Sequence, residues 1–167
     1  YAGALFVESY GTSTELTGAV LAIGAGGYVV GNLALRRFVQ RDTRRLLVGL
    51  AVALAMTTAL FGASRPSVVV STALFSVAAF AAGGRTFISS AFGLAAPAEL
   101  RPGAMAMRAA SMQFGYFAGS FLAGAALALG GYPAFGSLIG LLFLAAAATI
   151  GGRRQHHPAT APLPSSC

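Results

Sequence analysis

One arginine inside a long apolar run is the residue of this sequence with the clearest chemical interest. Arg85 is the single charged residue in the segment 67–96. An ionisable side chain within a membrane-spanning helix is costly, and it usually marks an ion pair or a pathway for ions or substrates. Near the end of a span, an arginine can instead extend to the headgroup region as an anchor. The sequence leaves both roles of Arg85 open.

Uncharged polar residues within the other apolar runs form a second group of candidate cavity-lining residues. They are Tyr28, Asn32, Gln113 and Tyr116. Each could also make an ordinary interhelical hydrogen bond, typically worth about 0.6 kcal/mol. Glu8 is an acidic residue in an otherwise apolar segment, where it could be a proton or cation site or a surface acid at a helix end. We expect Glu8 and Arg85 to lie toward opposite faces of a membrane, too far apart to pair.

The motifs of common enzymes and metal sites are missing from the sequence. His156 and His157 are adjacent near the C-terminus, with no acidic residue beside them to complete a metal site. The sequence contains no nucleophile elbow, phosphate-binding loop or zinc-protease motif. No His lies in the apolar runs to activate an intramembrane nucleophile. We therefore expect no enzymatic activity, no cofactor and no metal.

The apolar runs that carry these residues predict transmembrane helices. The chain has 167 residues, of which 56% are hydrophobic and 9% charged, whereas soluble domains have about 25% charged residues. About twenty helical residues cross the 30 Å hydrocarbon core. The fold class predicted is all-α: a polytopic transmembrane helix bundle with five complete spans and a partial one. The spans are residues 16–35, 46–63, 67–90, 105–130 and 132–150, with the end of a truncated helix at 1–10 and a disordered tail at 153–167.

The arginines predict the orientation of this bundle. All eleven basic residues are Arg, and ten of them fall in the groups 36–45, 85–108 and 153–154. If each run crosses a bilayer, these groups share one side, which the positive-inside rule makes cytoplasmic. We therefore expect a multi-pass protein with a cytoplasmic C-terminus and the lipid bilayer as its partner. Nucleic-acid binding is not expected, because the net charge of +7 lies in short connectors.

Two GxxxG spacings predict close helix packing. Gly27 and Gly31 lie in the first complete span, and Gly115 and Gly119 lie in the fourth. Small residues four positions apart let two helix backbones approach closely, where dispersion holds them together. In a protein that changes conformation, the same faces could slide.

Three connecting segments resemble those of major facilitator superfamily transporters. Residues 96–105, Ala-Pro-Ala-Glu-Leu-Arg-Pro-Gly-Ala-Met, are similar to the loop between helices ten and eleven. Residues 10–18 resemble the turn between helices seven and eight, and residues 36–45 are similar to the basic loop between helices eight and nine. That loop often reads Gly-x-x-x-Asp-Arg-x-Gly-Arg-Arg. Here Gln40 replaces its Asp and Asp42 is displaced by two positions.

The resemblance implies the C-terminal half of a secondary transporter, with helices seven (in part) to twelve. Such a half works by alternating access together with an N-terminal half of the same chain, which we expect to be missing from this fragment. The implied activity is export of small organic molecules or drugs, with proton coupling left open, across a bacterial inner membrane. Loop residues of the implied cytoplasmic gate are Arg41, Asp42, Arg44, Arg45, Glu99 and Arg101. The alternative is a membrane protein with a structural or partner-binding role and no transport.

Overall fold

The computed structural model describes residues 1–38, 43–64 and 67–152, and these form helices joined by short turns. The helices are α1 (Ala2–Tyr10), α2 (Thr14–Ala34), α3 (Thr43–Ala63), α4 (Val68–Leu94) and α5 (Arg101–Gly152), with a 3-10 turn at Leu35–Phe38 after α2. No strand occurs in these ranges. All four helices after α1 are long and apolar enough to cross a membrane. The predicted all-α membrane bundle is thereby confirmed.

The 52-residue helix α5 is broken in its middle by two glycines. Gly130 has φ −148° and ψ 17°, and Gly131 has φ 65° and ψ −159°. The Gly131 conformation is essentially restricted to glycine. Pro133 follows two residues after Gly131, where the first turn of a helix tolerates its missing N–H. The break divides α5 into a first arm, residues 101–129, and a second arm, residues 132–152.

The two arms run antiparallel, so α5 crosses the bundle twice. Gly119 and Ile139, each several residues from the break, line the same cavity as Met112 and Ala146, which are further from it. Residues at similar distances before and after a turn lie side by side in this way in a helical hairpin. The break at Gly130 and Gly131 falls between the segments 105–130 and 132–150.

Backbone-to-backbone contact brings α2 and α4 together. A Cβ added to Gly31 would overlap the carbonyl oxygen of Phe80, and one added to Gly83 would overlap that of Tyr28. A Cβ on Gly27 would come within 2.8 Å of the carbonyl oxygen of Ser76. Lipid tails are as apolar as leucine, so helices in a membrane associate through close packing of this kind rather than through the hydrophobic effect.

A second glycine contact joins α3 to the second arm of α5. A Cβ on Gly62 would lie 2.7 Å from the Cα of Gly136, and a Cβ on Gly140 would lie 3.0 Å from the carbonyl oxygen of Ala55. These helices therefore form a second tightly packed pair. The bundle is built from the α2–α4 pair and the α3–second-arm pair, with α3 and α4 also in contact.

The two ends of the bundle differ in charge and in the residues that close them. At one end α2 terminates, α3 begins, α4 terminates, and α5 both begins and ends. We call this the basic end, because it carries Arg36, Arg37, Arg44 and Arg45. At the opposite end, the turn end, α1 is anchored by its buried residues Leu5 and Phe6. They pack against three other buried residues: Val20, Phe61 and Tyr132.

The α2–α4 contact predicts different outcomes for two glycines of the same helix. Gly31→Ala should lower the free energy of unfolding by about 1–3 kcal/mol, because overpacking forces the helices apart. Gly26→Ala is the matched control, since a Cβ there meets no described atom within 4 Å and alanine favours a helix by about 1 kcal/mol. Unfolding of both purified variants in mixed micelles, followed by circular dichroism, measures the difference. Equal destabilisation by the two substitutions would contradict the close contact.

Candidate functional site

A cavity of about 490 Å³ lies between α4 and the two arms of α5. It combines charged and hydroxyl-bearing side chains with an apolar wall. The polar lining residues are Arg85, Thr86, Ser89, Arg108, Ser111 and Tyr116. The larger apolar lining residues are Met112, Ile139, Leu142 and Phe143.

Helical periodicity explains why these residues share one space. On the first arm, Arg108, Met112, Gly115 and Gly119 all line the cavity and recur every three or four residues. Residues at this spacing lie on one face of a helix. These four residues therefore form a continuous strip along the first arm, with the charged residue toward the basic end and the glycines toward the middle of the arm.

Hydrogen bonds to α4 hold the guanidinium of Arg108 at the cavity wall. Its Nε donates to the hydroxyl oxygen of Ser89 at 2.9 Å, and its Nη2 donates to the carbonyl oxygen of Thr86 at 3.4 Å. Arg108 is half-buried. It lies seven residues into α5, about 10 Å from the start of that helix. This arginine therefore links the first arm to α4 within the length of the span.

Arg85 lies on α4 itself, beside an aromatic ring of the second arm. Its guanidinium carbon is 5.9 Å from the centroid of the Phe143 ring on the second arm, within the range of a cation–π interaction. Arg85 precedes the end of α4 by nine residues, or about 14 Å. Its side chain is exposed to the cavity rather than buried in protein. Within the described ranges, neither Arg85 nor Arg108 forms an ion pair with a carboxylate.

Other predicted cavity residues divide between this site and the rest of the bundle. Tyr116 lines the cavity, whereas Gln113 does not and is exposed on another face of the first arm. Tyr28 and Asn32 lie in the α2–α4 contact, where their backbone atoms approach Gly83. Neither of these two residues reaches the cavity.

Glu8 lies at the turn end, away from Arg85 and Arg108. The hydroxyl of Tyr132 donates to Oε2 of Glu8 at 2.7 Å. Tyr132 is itself 8% exposed, so this bond fixes α1 against the start of the second arm. A second hydroxyl contact at this end, 2.6 Å between Tyr10 and the buried Ser71, ties α1 to α4.

The two GxxxG pairs have different surroundings. Gly27 and Gly31 lie against α4, as described above. Gly115 and Gly119 have open space beside them, since a Cβ on either would meet no described atom within 4 Å. The packing predicted for this second pair is therefore absent from the described part of the chain, where both glycines line the cavity instead.

Of the predicted gate residues, Arg44 has the clearest role. Its Nε donates to the carbonyl oxygen of Ile150 at 2.9 Å, and its Nη2 donates to that of Gly151. These carbonyls belong to the last turn of α5, where a helix has no N–H of its own to offer them and a cation is favourable. Arg44 thus fastens the start of α3 to the end of the second arm.

The remaining gate residues lie at the basic end or outside the described ranges. The Nη2 of Arg101 donates to the carbonyl oxygen of Ala96 at 3.4 Å, within the turn between α4 and α5. Glu99 is exposed in the same turn, and Arg45 is exposed near the start of α3. Arg41 and Asp42 lie outside the described residues.

Comparison with protein families supplies the identity that this architecture suggests. The Major Facilitator Superfamily matches residues 1–165 of the sequence. The chain belongs to the major facilitator superfamily. Members of this superfamily are membrane transporters, so this is a multi-pass membrane protein of a transporter family. No curated protein and no solved structure gives a significant match.

Sequence reasoning missed several cavity residues of this superfamily member. Arg108, Ser89 and Ser111 were not among the predicted site residues, although all line the cavity. The available signal was the strip on the first arm, in which Arg108 and Ser111 precede Gly115 at helical spacing. Phe143 could not have been found in this way, because its contact with Arg85 depends on how the second arm folds back.

The bonds from Arg44 predict a local effect on the end of α5. Arg44→Ala should speed amide hydrogen exchange over residues 148–152 and lower the free energy of unfolding by about 1 kcal/mol, since charged hydrogen bonds to terminal carbonyls are lost at a partly exposed site. Arg37→Ala is the control, because Arg37 is an exposed arginine of the same end. Unchanged exchange in Arg44→Ala would mean that these bonds do not hold the helix end.

Proposed function

We propose that this chain is the C-terminal half of a secondary active transporter that exports small organic molecules by alternating access. The observation that carries the proposal is the cavity with two arginines inside the span. Ionisable residues at such depth are costly in a membrane and usually mark a substrate or ion pathway. A membrane protein with only a structural role would gain nothing from keeping two charged side chains within the span at this cost in free energy.

The packing of the helices supports movement around the cavity. Glycine contacts fix the α2–α4 pair and the α3–second-arm pair. The first arm is more loosely held, with three aromatic side chains, Phe114, Phe117 and Phe121, each more than 70% exposed. Alternating access requires two arrangements of nearly equal free energy. The first arm, joined to α4 by the polar contacts of Arg108, is the element that we expect to move.

The exposed face of the first arm also favours a larger assembly. Contiguous apolar surface of this kind faces either lipid or another part of a protein. We assign it to the interface with an N-terminal half, since the transporter site lies between two such halves. An exposed polar residue, Gln113, lies among these aromatic residues and would then face that partner or the central pathway.

The arginines of the basic end support the membrane orientation that we propose for an exporter, with this end in the cytoplasm. With the basic end in the cytoplasm, as the positive-inside rule favours, both arginines lie about 10–14 Å from the cytoplasmic helix ends. A substrate could then enter from the cytosol or from the inner leaflet. We place the protein in a bacterial inner membrane with a cytoplasmic C-terminus.

We take Glu8 as the acidic group for any proton coupling. Glu8→Gln would then remove the response of transport to a pH gradient.

Transport by inside-out vesicles containing the protein with both halves tests this function. Carboxyfluorescein and ethidium serve as an anionic and a cationic dye, and an imposed ion gradient should drive uptake of at least one. Arg85→Ala should reduce the uptake rate at least about tenfold, because a lost charged contact typically contributes more than 1.4 kcal/mol. Arg37→Ala should transport normally at equal expression.

Two outcomes would contradict the proposal in different ways. Normal uptake by Arg85→Ala would mean that this residue is only a membrane anchor and that the cavity is not required for transport. If the wild-type protein moves neither dye under any gradient, the alternative of a structural or partner-binding membrane protein is favoured over export.

A further inference from the structure

The cavity carries two positive charges that the described residues do not neutralise. Arg85 has an aromatic neighbour but no carboxylate partner, and Arg108 is bound by one hydroxyl and one carbonyl oxygen. Two like charges facing one space in a poorly polarisable environment repel each other unless an anion lies between them. The electrostatics of the site therefore favour an anionic occupant.

The geometry of the arginines leaves hydrogen-bond donors available to such an occupant. A guanidinium has five N–H donors in a rigid fork. Arg108 uses its Nε and one Nη2 donor on α4, which orients the fork and leaves its other donors without a partner among the residues that the structure describes. Arg85 makes no hydrogen bond within the described ranges, since its recorded contact is with the face of Phe143. Carboxylate and phosphate oxygens match such forks in bidentate pairs.

The rest of the cavity is mainly apolar, which further restricts the class of ligand that it can bind. Beyond the arginines and the hydroxyl-bearing residues, the wall includes Met112, Ile139 and Leu142, with open space beside Gly115 and Gly119. A volume of about 490 Å³ is within the range of small-molecule sites, which are mostly apolar with a few polar groups that fix orientation. A small inorganic anion would leave the apolar part unfilled.

We propose that this cavity binds an amphipathic anion. A carboxylate or phosphate group lies between Arg85 and Arg108, near Ser89 and Ser111, and an apolar body extends along Ile139 and Leu142. The ligand is either the headgroup and upper chain of an anionic lipid or a soluble organic anion with an apolar tail. If the ligand is a soluble anion, this inference rests on the proposed function, because the anion is then the class of substrate that is transported. If the ligand is a lipid, it does not. Binding can be measured whether or not transport is observed.

Selectivity between matched amphiphiles tests the proposal directly. The full chain in phosphatidylcholine nanodiscs is titrated by calorimetry with octyl phosphate, octyltrimethylammonium and inorganic phosphate. Octyl phosphate should bind at least about tenfold more tightly than either other probe, because only it satisfies both the arginines and the apolar wall. Equal binding of the two octyl compounds would overturn the proposal.

Substitution of the arginines locates the binding. Arg85→Gln and Arg108→Gln should each weaken octyl phosphate binding about tenfold, and Arg85→Lys less, since it keeps the charge but loses the fork. Arg37→Gln, which removes an exposed arginine at the same end, should bind as the wild type does. Because Arg85 has no structural hydrogen bond among the described residues, its variants should fold. Unchanged binding by Arg85→Gln in a folded protein would overturn the proposal.

A further experiment with lipid distinguishes the two sources of the anion, a lipid headgroup and a soluble organic anion. Nanodiscs with added phosphatidylglycerol are analysed by native mass spectrometry for lipid that stays bound. Retention that is lost in the Arg85→Gln Arg108→Gln double variant assigns the site to a lipid headgroup. Octyl phosphate binding without such retention assigns it to a soluble anion. If binding fails in a protein that still transports dyes, the ligand assignment is wrong and the transport function stands.

Discussion

Close contact between helix backbones is the constraint on which this structure depends. In a bilayer, backbone hydrogen bonds are satisfied within each helix, and pairing must come from packing rather than from escape from water. Gly31 and Gly83 bring α2 and α4 together, and Gly62 and Gly136 do the same for α3 and the second arm. Any larger residue at these positions would separate the helices. These two contacts fix the positions of four of the membrane-crossing segments.

The cavity exists because the first arm lacks a contact of this kind. Gly115 and Gly119 have no described neighbour within 4 Å of a Cβ. The polar contacts of the arm include the hydrogen bonds of Arg108 to α4 and that of the Tyr1 hydroxyl, which donates to the carbonyl oxygen of Ser120 at 3.1 Å. A polar contact can exchange partners more readily than an interlocked backbone contact can slide. The element that borders the site is therefore the one best able to move.

Charge placement connects this architecture to function. Most of the described arginines lie at the helix ends, where headgroups and water can accommodate them, and Arg44 also bonds to carbonyl oxygens at the end of α5. Arg85 and Arg108 lie deeper and share a cavity. The superfamily match over residues 1–165 establishes the transporter family. The two deeper arginines indicate where a ligand would be held.

Local patterns in the sequence predicted the helices but only part of the site. Apolar runs were enough to predict the membrane bundle. Arg85 was recognisable because a charge in an apolar run is unusual. Arg108 was not, since an arginine near a helix start has an ordinary role as an anchor. Gln113 and Tyr116 are three residues apart, yet only Tyr116 lines the cavity, because the rotation of the arm is set by contacts distant in sequence.

Accessibility of the cavity to water is the most direct test of the central claim that a ligand site lies within the span. In a Cys167→Ser background, Ser111→Cys places a thiol in the cavity, and Ser90→Cys places one on α4 at a half-buried position outside it. A charged, membrane-impermeant thiol reagent added at the basic end should label Ser111→Cys rapidly and Ser90→Cys slowly. Equal labelling of both, or no labelling of Ser111→Cys from either side, would contradict the account.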